Sequence, residues 1–336
     1  MSIETKGARA VRMRDAGLSN AEIAAVLGMS KDRARGLISE TRAVSGRTRT
    51  ATLLSAEATA EHELNAVRVL EREMPGFYQE FKTNKENTGK KPVHIMVPDT
   101  QCKPGVSLEH LRWAGEYIAE REPDVVVAIG DWWDMESLSE YDRGKKSFEG
   151  RRYKADIEAG NEGMDLFMAG VNKCKKRPRL VFTMGNHEER ILRALEIEPR
   201  LEGVLGYHDF NLERHGWEVY DFLTPVSIDG IHYAHYFSQP MSGRPYSGNI
   251  ETRLRAIGFS FSQGHQQGLW WGRRELANGA VQLGLVAGSY YLHDEVYKGV
   301  QGNKHWRGLV VKHEVDPVTG YDPMFTSIRF LQEKYG

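Results

Sequence analysis

After residue 92 the chain repeats one pattern: a short apolar run that stops abruptly at polar side chains. VHIMVPDTQ, from Val93, halts at Asp99, and DVVVAIGDWWD halts at Gly130 and Asp131, with Asp134 three residues on. RLVFTMGNHEE halts at Gly185 and presents Asn186, His187 and Glu188. Near-continuous apolar runs of this length are the mark of strands buried on both faces. Segments of helical period, Leu108 to Arg121 and Tyr153 to Cys174, lie between them. Alternation of this kind predicts an α/β sheet whose strands deliver polar groups at their C-terminal ends, where such sheets bind ligands. Two further apolar segments bring imidazoles: GIHYAHYF carries His232 and His235, and IGFSFSQGHQQG sets His265 directly after Gly264. The odd separation of His232 and His235 puts them on opposite faces of a strand. His235, nearer the strand end, is the one expected to face a ligand.

Upstream the pattern is different. NAEIAAVLGMSKDRARGLI, from Asn20 to Ile38, sets Ile23, Ala24, Leu27, Met29, Ala34 and Leu37 where two short crossed helices can meet. Gly28 falls at the tight turn, and Ser30 is a good N-cap for a second helix starting at Lys31, whose exposed face carries Lys31, Arg33 and Arg35. The segment resembles the helix-turn-helix of DNA-binding proteins, which implies DNA as partner and those three side chains as its contacts. The plainer alternative is a helical hairpin used for docking or oligomerisation. Between SGRTRTAT and KTNKENTGKK, the spacing of Leu64, Val67 and Leu70 predicts a helix from about Ala56 to Glu73. The chain therefore divides into a helix-turn-helix domain over 1–44, a helical connector over 45–91 and a catalytic domain over 92–336.

Charge sharpens this division. The net charge of −1 hides ten Lys and Arg against five Asp and Glu in residues 1–50, and 35 against 41 in the rest. A basic first segment on an acidic body points to a polyanionic partner for the N-terminus. No stretch approaches the roughly 18–20 apolar residues of a membrane span, and MSIETKGARA lacks the apolar run of a secretory signal. The two cysteines, Cys102 and Cys174, are too few for a disulfide framework. These features give the expectation of a cytoplasmic protein with no membrane partner.

Taken in order, the polar strand ends resemble the calcineurin-like metallophosphoesterase family, whose motifs run D-x-H, G-D-x-x-D, G-N-H-D/E, a lone His at a strand end, and G-H-x-H. Here the series is Asp99-Thr100-Gln101, Gly130-Asp131-Trp132-Trp133-Asp134, Gly185-Asn186-His187-Glu188, His235, and Gly264-His265-Gln266-Gln267. The resemblance spans residues 93 to about 330. It implies a metallophosphoesterase-type β-sandwich flanked by helices, with a small all-α domain in front, and a phosphoesterase using two divalent ions. Such ions activate water and neutralise charge on the transferring phosphoryl group. Asp131 would bridge them. Asp99, Gln101 and Gln267 would complete the first metal site, while Asn186, His235 and His265 complete the second. His187 would serve the leaving oxygen, with Asp134 orienting its ring and Glu188 supporting the pair.

The departures fall on one side of this centre. Gln101 and Gln267 stand where the family most often has His, and amide oxygens with carboxylates make a hard shell that favours Mn2+ or Mg2+ over Zn2+. Loss of the first ion is the alternative. Trp132 and Trp133, and the cluster Trp270, Trp271, Arg273 and Arg274, are candidates for stacking on a base or binding a phosphate, or else for core and anchor positions. The chain as a whole looks like the phosphoesterases of bacteriophages and prophages. The working expectation is a phosphodiesterase or nuclease acting on DNA. The alternatives are a phosphomonoesterase for small molecules or phosphoproteins, and a DNA-binding regulator with an inactive phosphoesterase scaffold.

Overall fold

A computed structural model describes residues 6–15, 19–45, 90–295 and 298–336, which fall into two compact units, one within residues 1–87 and one within 88–336. The predicted connector helix from Ala56 to Glu73 lies outside the described residues.

The first unit has helices α1 (Lys6–Asp15), α2 (Asn20–Leu27) and α3 (Lys31–Ser45). Gly28 turns the chain at φ +63°, and the Ser30 hydroxyl accepts the Arg33 N–H at 3.3 Å, capping α3. Ala10, Ile23, Ala24, Leu27, Ala34 and Ile38 form a small core. Ile38 takes the buried place expected for Leu37, which is only half-buried at its edge. Lys31, Arg33 and Arg35 are all exposed but do not share one face. At 3.6 residues per turn, Lys31 and Arg35 lie on one flank of α3 and Arg33 roughly 200° round from Lys31, with the acidic Asp32 between the flanks.

The second unit is built on two sheets. The larger has the order β11-β10-β1-β2-β3-β4, in which β1 (His94–Val97), β2 (Val125–Ala128), β3 (Arg179–Thr183) and β4 (Glu218–Tyr220) run parallel. The antiparallel strands β10 (Gly308–Asp316) and β11 (Gly320–Ser327) extend it beside β1. The second sheet has the order β5-β6-β7-β9-β8, formed by β5 (Val226–Ile228), β6 (Ile231–Tyr233), β7 (Phe261–Gln263), β8 (Leu269–Glu275) and β9 (Val281–Ala287).

Period-two alternation assigns each strand residue to a layer. Met96, Val125, Val127 and Val181 turn inward onto Val226, Ile231, Tyr233, Leu283 and Leu285 of the second sheet. Their neighbours Ile95, Val97, Val126, Ala128, Leu180 and Phe182 face the helices α4 (Glu109–Arg121) and α5 (Tyr153–Val171). In α4 the buried side is Leu111, Trp113, Ala114, Tyr117 and Ile118, and the helix stops at Glu122, which turns left-handed at φ 49°. α7 (Ile250–Ile257) covers the outside of the second sheet through Leu254 against Phe261 and Ala234. The result is the helix-flanked α/β sandwich expected from the sequence. Three short helices complete the unit: α6 (Arg190–Ile197), α8 (Gly299–Gly302) and α9 (Ile328–Tyr335). Among the described residues no helix is long and apolar enough to cross a membrane.

Trp132 and Trp133 belong to this core. Both are fully buried, Trp132 edge-on to Phe167 and Trp133 stacked on Phe210, so neither forms a wall for a base. Phe182 sits between Trp133 and Trp217 with ring centroids at 5.9 and 6.0 Å. Phe182→Ala is expected to cost about 3–5 kcal/mol in urea unfolding, the range for emptying a packed aromatic site; a loss below about 1 kcal/mol would contradict this packing.

Candidate metal centre

The parallel strands of both sheets end at one edge, and the expected side chains lie just beyond those ends. Asp99 follows β1 by two residues, Asp131 follows β2 by three, Asn186 follows β3 by three, and His235 and His265 follow β6 and β7 by two. The two sheets are stitched together there: Asp99 Oδ1 accepts the His265 N–H at 3.1 Å, and His235 Nδ1 lies 2.8 Å from the Ile129 carbonyl.

Tight backbone makes this convergence possible. A Cβ on Gly185 would stand 2.3 Å from the Asp131 nitrogen, and one on Gly264 would stand 2.2 Å from Asp99 Oδ1. The glycines before Asn186 and His265 thus meet a demand for close approach. Eleven non-glycine residues have positive φ among the described residues, and five of them are Asp99, Gln101, Asp131, His265 and Gln267. Such conformations cost on the order of 1–3 kcal/mol each and persist only where the surroundings impose them.

What imposes them at Asp131 is Glu188. Its buried carboxylate accepts four backbone N–H groups: Gly185 at 2.8 Å and Asp131 at 2.9 Å on Oε2, Trp132 at 2.7 Å and Trp133 at 3.1 Å on Oε1. Burial and the nearby Asp131 push its pKa up, opposed by the donors around it. Glu188 was expected to support His187; it braces the turn carrying Asp131 through the backbone instead.

Around Asp131 the donor atoms converge. Asp131, His235 and His265 each offer one within 4.8 Å of the others. Asn186 Oδ1 lies 3.0 Å from His235 Nε2 and 2.7 Å from His265 Nδ1. With the His235 Nδ1–H donated to Ile129 O, Nε2 is left to face the cluster, the outer-shell arrangement typical of metal-binding imidazoles. Near them, Asp99 Oδ2 and Gln101 Oε1 are buried with no hydrogen-bond partner. Buried acceptors are rarely left so. A divalent cation fits these side chains.

Gln267, expected at the first metal, has hydrogen-bond partners outside the motifs. Its Oε1 accepts from the Lys298 ammonium and from the Tyr291 hydroxyl, the latter at 2.9 Å. His187 does lie beside the centre: Nδ1 is 2.9 Å from Asp134 Oδ1, and Nε2 is 3.7 Å from Asp131 Oδ2 and 3.2 Å from Arg190 Nη2. His232 is turned away, packed on Phe259.

Among themselves these groups share charge unevenly. Burial raises the Asp99 pKa to about 7, although His235 pulls it down. Burial works the same way on Asp131, but His187 and His235 outweigh it and hold that carboxyl ionised. Burial lowers the pKa of His235, yet Asp131 lifts it to about 9. His265, buried and facing that imidazolium, falls to about 4. Burial opposes protonation of His187, and Asp131 and Asp134 raise its pKa in spite of it.

Two arginines beside the centre were not singled out in the sequence. Arg190 and Arg193 line a cleft of about 520 Å³ together with Asn186, Tyr141, Arg143 and Phe148. Their spacing from His187, three and six residues along a helical segment, was the available signal. Trp270 and Trp271 lie on the edge strand β8, partly exposed, with the Arg253 guanidinium 5.3 Å from the Trp270 ring.

No family model matches the chain, and no curated protein does. Solved structures overlap with it weakly. Yfce, a phosphoesterase from E. coli, is 12% identical, with a TM-score of 0.31 over 70% of this chain and 100% of its own. The NAD nucleotidase NadN of Haemophilus influenzae is 9% identical, with a TM-score of 0.33 over 70% of this chain and 49% of its own. At such TM-scores these likenesses carry no argument about this chain's reaction.

The His235–Asp131 pair makes a pH prediction for the metal-free protein. A folded-state pKa of about 9 against the usual 6.5 gives stability that is complete below pH 6.5 and lost as pH rises through about 9. In excess chelator the melting temperature is expected to fall across that window, and His235→Asn to flatten the fall. A wild-type curve that is already flat there would rule the pairing out.

Proposed function

We propose that this chain is a metal-dependent phosphoesterase that cleaves phosphodiesters of DNA. The convergence of Asp131, Asn186, His235 and His265 beside the His187–Asp134 pair carries this reading. A divalent ion held there would activate water and withdraw charge from the phosphoryl oxygens, for which Mn2+ or Mg2+ suits the oxygen-rich half of the donor set.

The chain's own residues supply the rest. Asp134 Oδ1 and its backbone carbonyl, 2.9 and 2.8 Å from His187 Nδ1, fix the ring so that Nε2 points at the centre. The raised pKa of His187 keeps a proton available on Nε2 for a leaving oxygen. Lys103 holds Asp134 in turn, 3.5 Å from its Oδ2, while bonding Glu136 at 3.0 Å and Glu295 at 2.7 Å. Arg190 Nη1 donates to Asp134 O at 2.7 Å and its Nη2 lies 3.2 Å from His187 Nε2, which sets a guanidinium beside the position of an arriving phosphoryl group. Arg193 and Arg143, with Tyr141 and Phe148, extend the cleft in a way that suits a flanking phosphate and an unstacked base. A phosphodiester in a strand offers both on neighbouring nucleotides. The exposed Lys31, Arg33 and Arg35 of the first unit support DNA as the polymer, as phosphate contacts that need no base reading.

The test is hydrolysis, with Mn2+, of bis-p-nitrophenyl phosphate against p-nitrophenyl phosphate, followed by single- and double-stranded DNA. Diester preference and DNA cleavage are expected. Monoester preference without DNA cleavage would establish a phosphomonoesterase instead, and an Asp131→Asn chain that keeps its biological role would establish a binding protein on an inert scaffold. His187→Gln is expected to lower kcat by roughly 10²–10⁴-fold on DNA and far less on p-nitrophenyl esters, whose leaving group needs no proton. Equal losses on both would remove His187 from the proton-donor role.

A further inference from the structure

We propose that Trp270, held by Arg253 beside the loop that carries His265, is a platform on which an unpaired nucleobase of a bound DNA strand stacks. This inference rests on the DNA phosphodiesterase reading and names a contact for the strand next to the centre.

The platform is built outward from the last of the five polar strand ends. The loop from Gly264 to Gly268 joins β7 to β8 and carries His265. Its far end is shaped for a ring: a Cβ on Gly268 would stand 2.9 Å from Trp270 Cζ2, so the indole lies against the loop backbone. Period-two alternation places Trp270 and Gly272 on the face of β8 that α7 covers, where Ile250 packs on Gly272. Arg253 of α7 reaches the same place. Its guanidinium lies over the Trp270 ring, 5.3 Å from the centroid, while Nε donates to the Gly248 carbonyl at 3.0 Å and Nη1 donates to Gln266 Oε1. One buried cation thus ties the indole to the residue that follows His265. Yet nearly half of Trp270, 46%, remains exposed.

Charge selects the occupant. Buried charges are ordinarily paired, but both hydrogen-bond acceptors of Arg253 are neutral. Burial lowers its pKa, and no carboxylate among the described residues acts to raise it. The exposed indole therefore sits beside a positive charge that no carboxylate among those residues cancels, which suits a polyanion that also offers flat faces. Bases stacked on aromatic rings with arginine beside them are how single strands are held without base reading. The neighbouring basic side chains are engaged elsewhere: Arg273 pairs with Glu275 at 2.9 Å, and Arg274 donates to Gln282 at 3.2 Å.

Equilibrium binding by the full-length protein in excess chelator, which stops cleavage, tests the platform. A labelled oligothymidylate and an abasic strand of the same length are compared by fluorescence anisotropy. Wild type is expected to prefer the thymidylate, Trp270→Ala to cut that preference by roughly 5- to 100-fold, and Trp270→Phe, which keeps a ring, to retain most of it. Thymidylate is also expected to quench the tryptophan emission of wild type more than that of Trp270→Phe. A wild type that binds both strands equally overturns the platform. So does a preference that Trp270→Ala leaves unchanged, whether or not both affinities fall. Mn2+-dependent hydrolysis of bis-p-nitrophenyl phosphate by wild type, which needs no base, tests the phosphoesterase reading separately. Its absence would end that reading, while the anisotropy would still decide the platform.

Discussion

The Glu188 carboxylate, buried and accepting the backbone N–H groups of Gly185, Asp131, Trp132 and Trp133, ties the loop after β2 to the loop after β3. Without it four buried donors would lose their acceptor at once, at a desolvation cost of about 1–3 kcal/mol each. The left-handed backbone at Asp131 would also lose what enforces it. Asp131 in turn receives the His187 N–H on Oδ1 at 3.0 Å and faces the His235 ring, so the side chains gathered at this edge inherit their positions from this one acid. Two aromatic layers buttress the same loop from below, through Trp132 on Phe167 and Trp133 on Phe210.

Much of this was legible in the sequence because the chemistry and the fold use the same signal. An apolar run ending at glycine and then a carboxylate, amide or imidazole says both where a strand stops and what it delivers. Asp99, Asp131, Asn186, His235 and His265 are gathered at one edge for that reason. The assignment of His235 over His232 followed from strand parity, which allows only one of them to face the site, and from the nearness of His235 to the strand end. Glu188 was legible as important but not as a backbone clamp, since nothing in G-N-H-E tells which N–H groups its carboxylate will meet. Gln267 was read as a ligand from its place in the motif. Its actual partners, Tyr291 and Lys298, lie 24 and 31 residues later and belong to no motif. Trp132 and Trp133 were ambiguous because a loop position next to a site and a core position look alike in sequence; tertiary packing decided it.

The first unit shows the same division. Its turn at Gly28, cap at Ser30 and helix start at Lys31 are local matters that sequence states well. Which basic side chains share a face depends on helical phase, and there Arg33 departs from Lys31 and Arg35.

The central claim is that a divalent cation binds at the edge where the two sheets meet. Anomalous scattering from crystals of the protein grown with Mn2+ tests it most directly. The account predicts a strong peak within bonding distance of Asp131 and of the Asn186, His235 and His265 side chains. Well-ordered crystals with those side chains in place and no anomalous peak among them would contradict it.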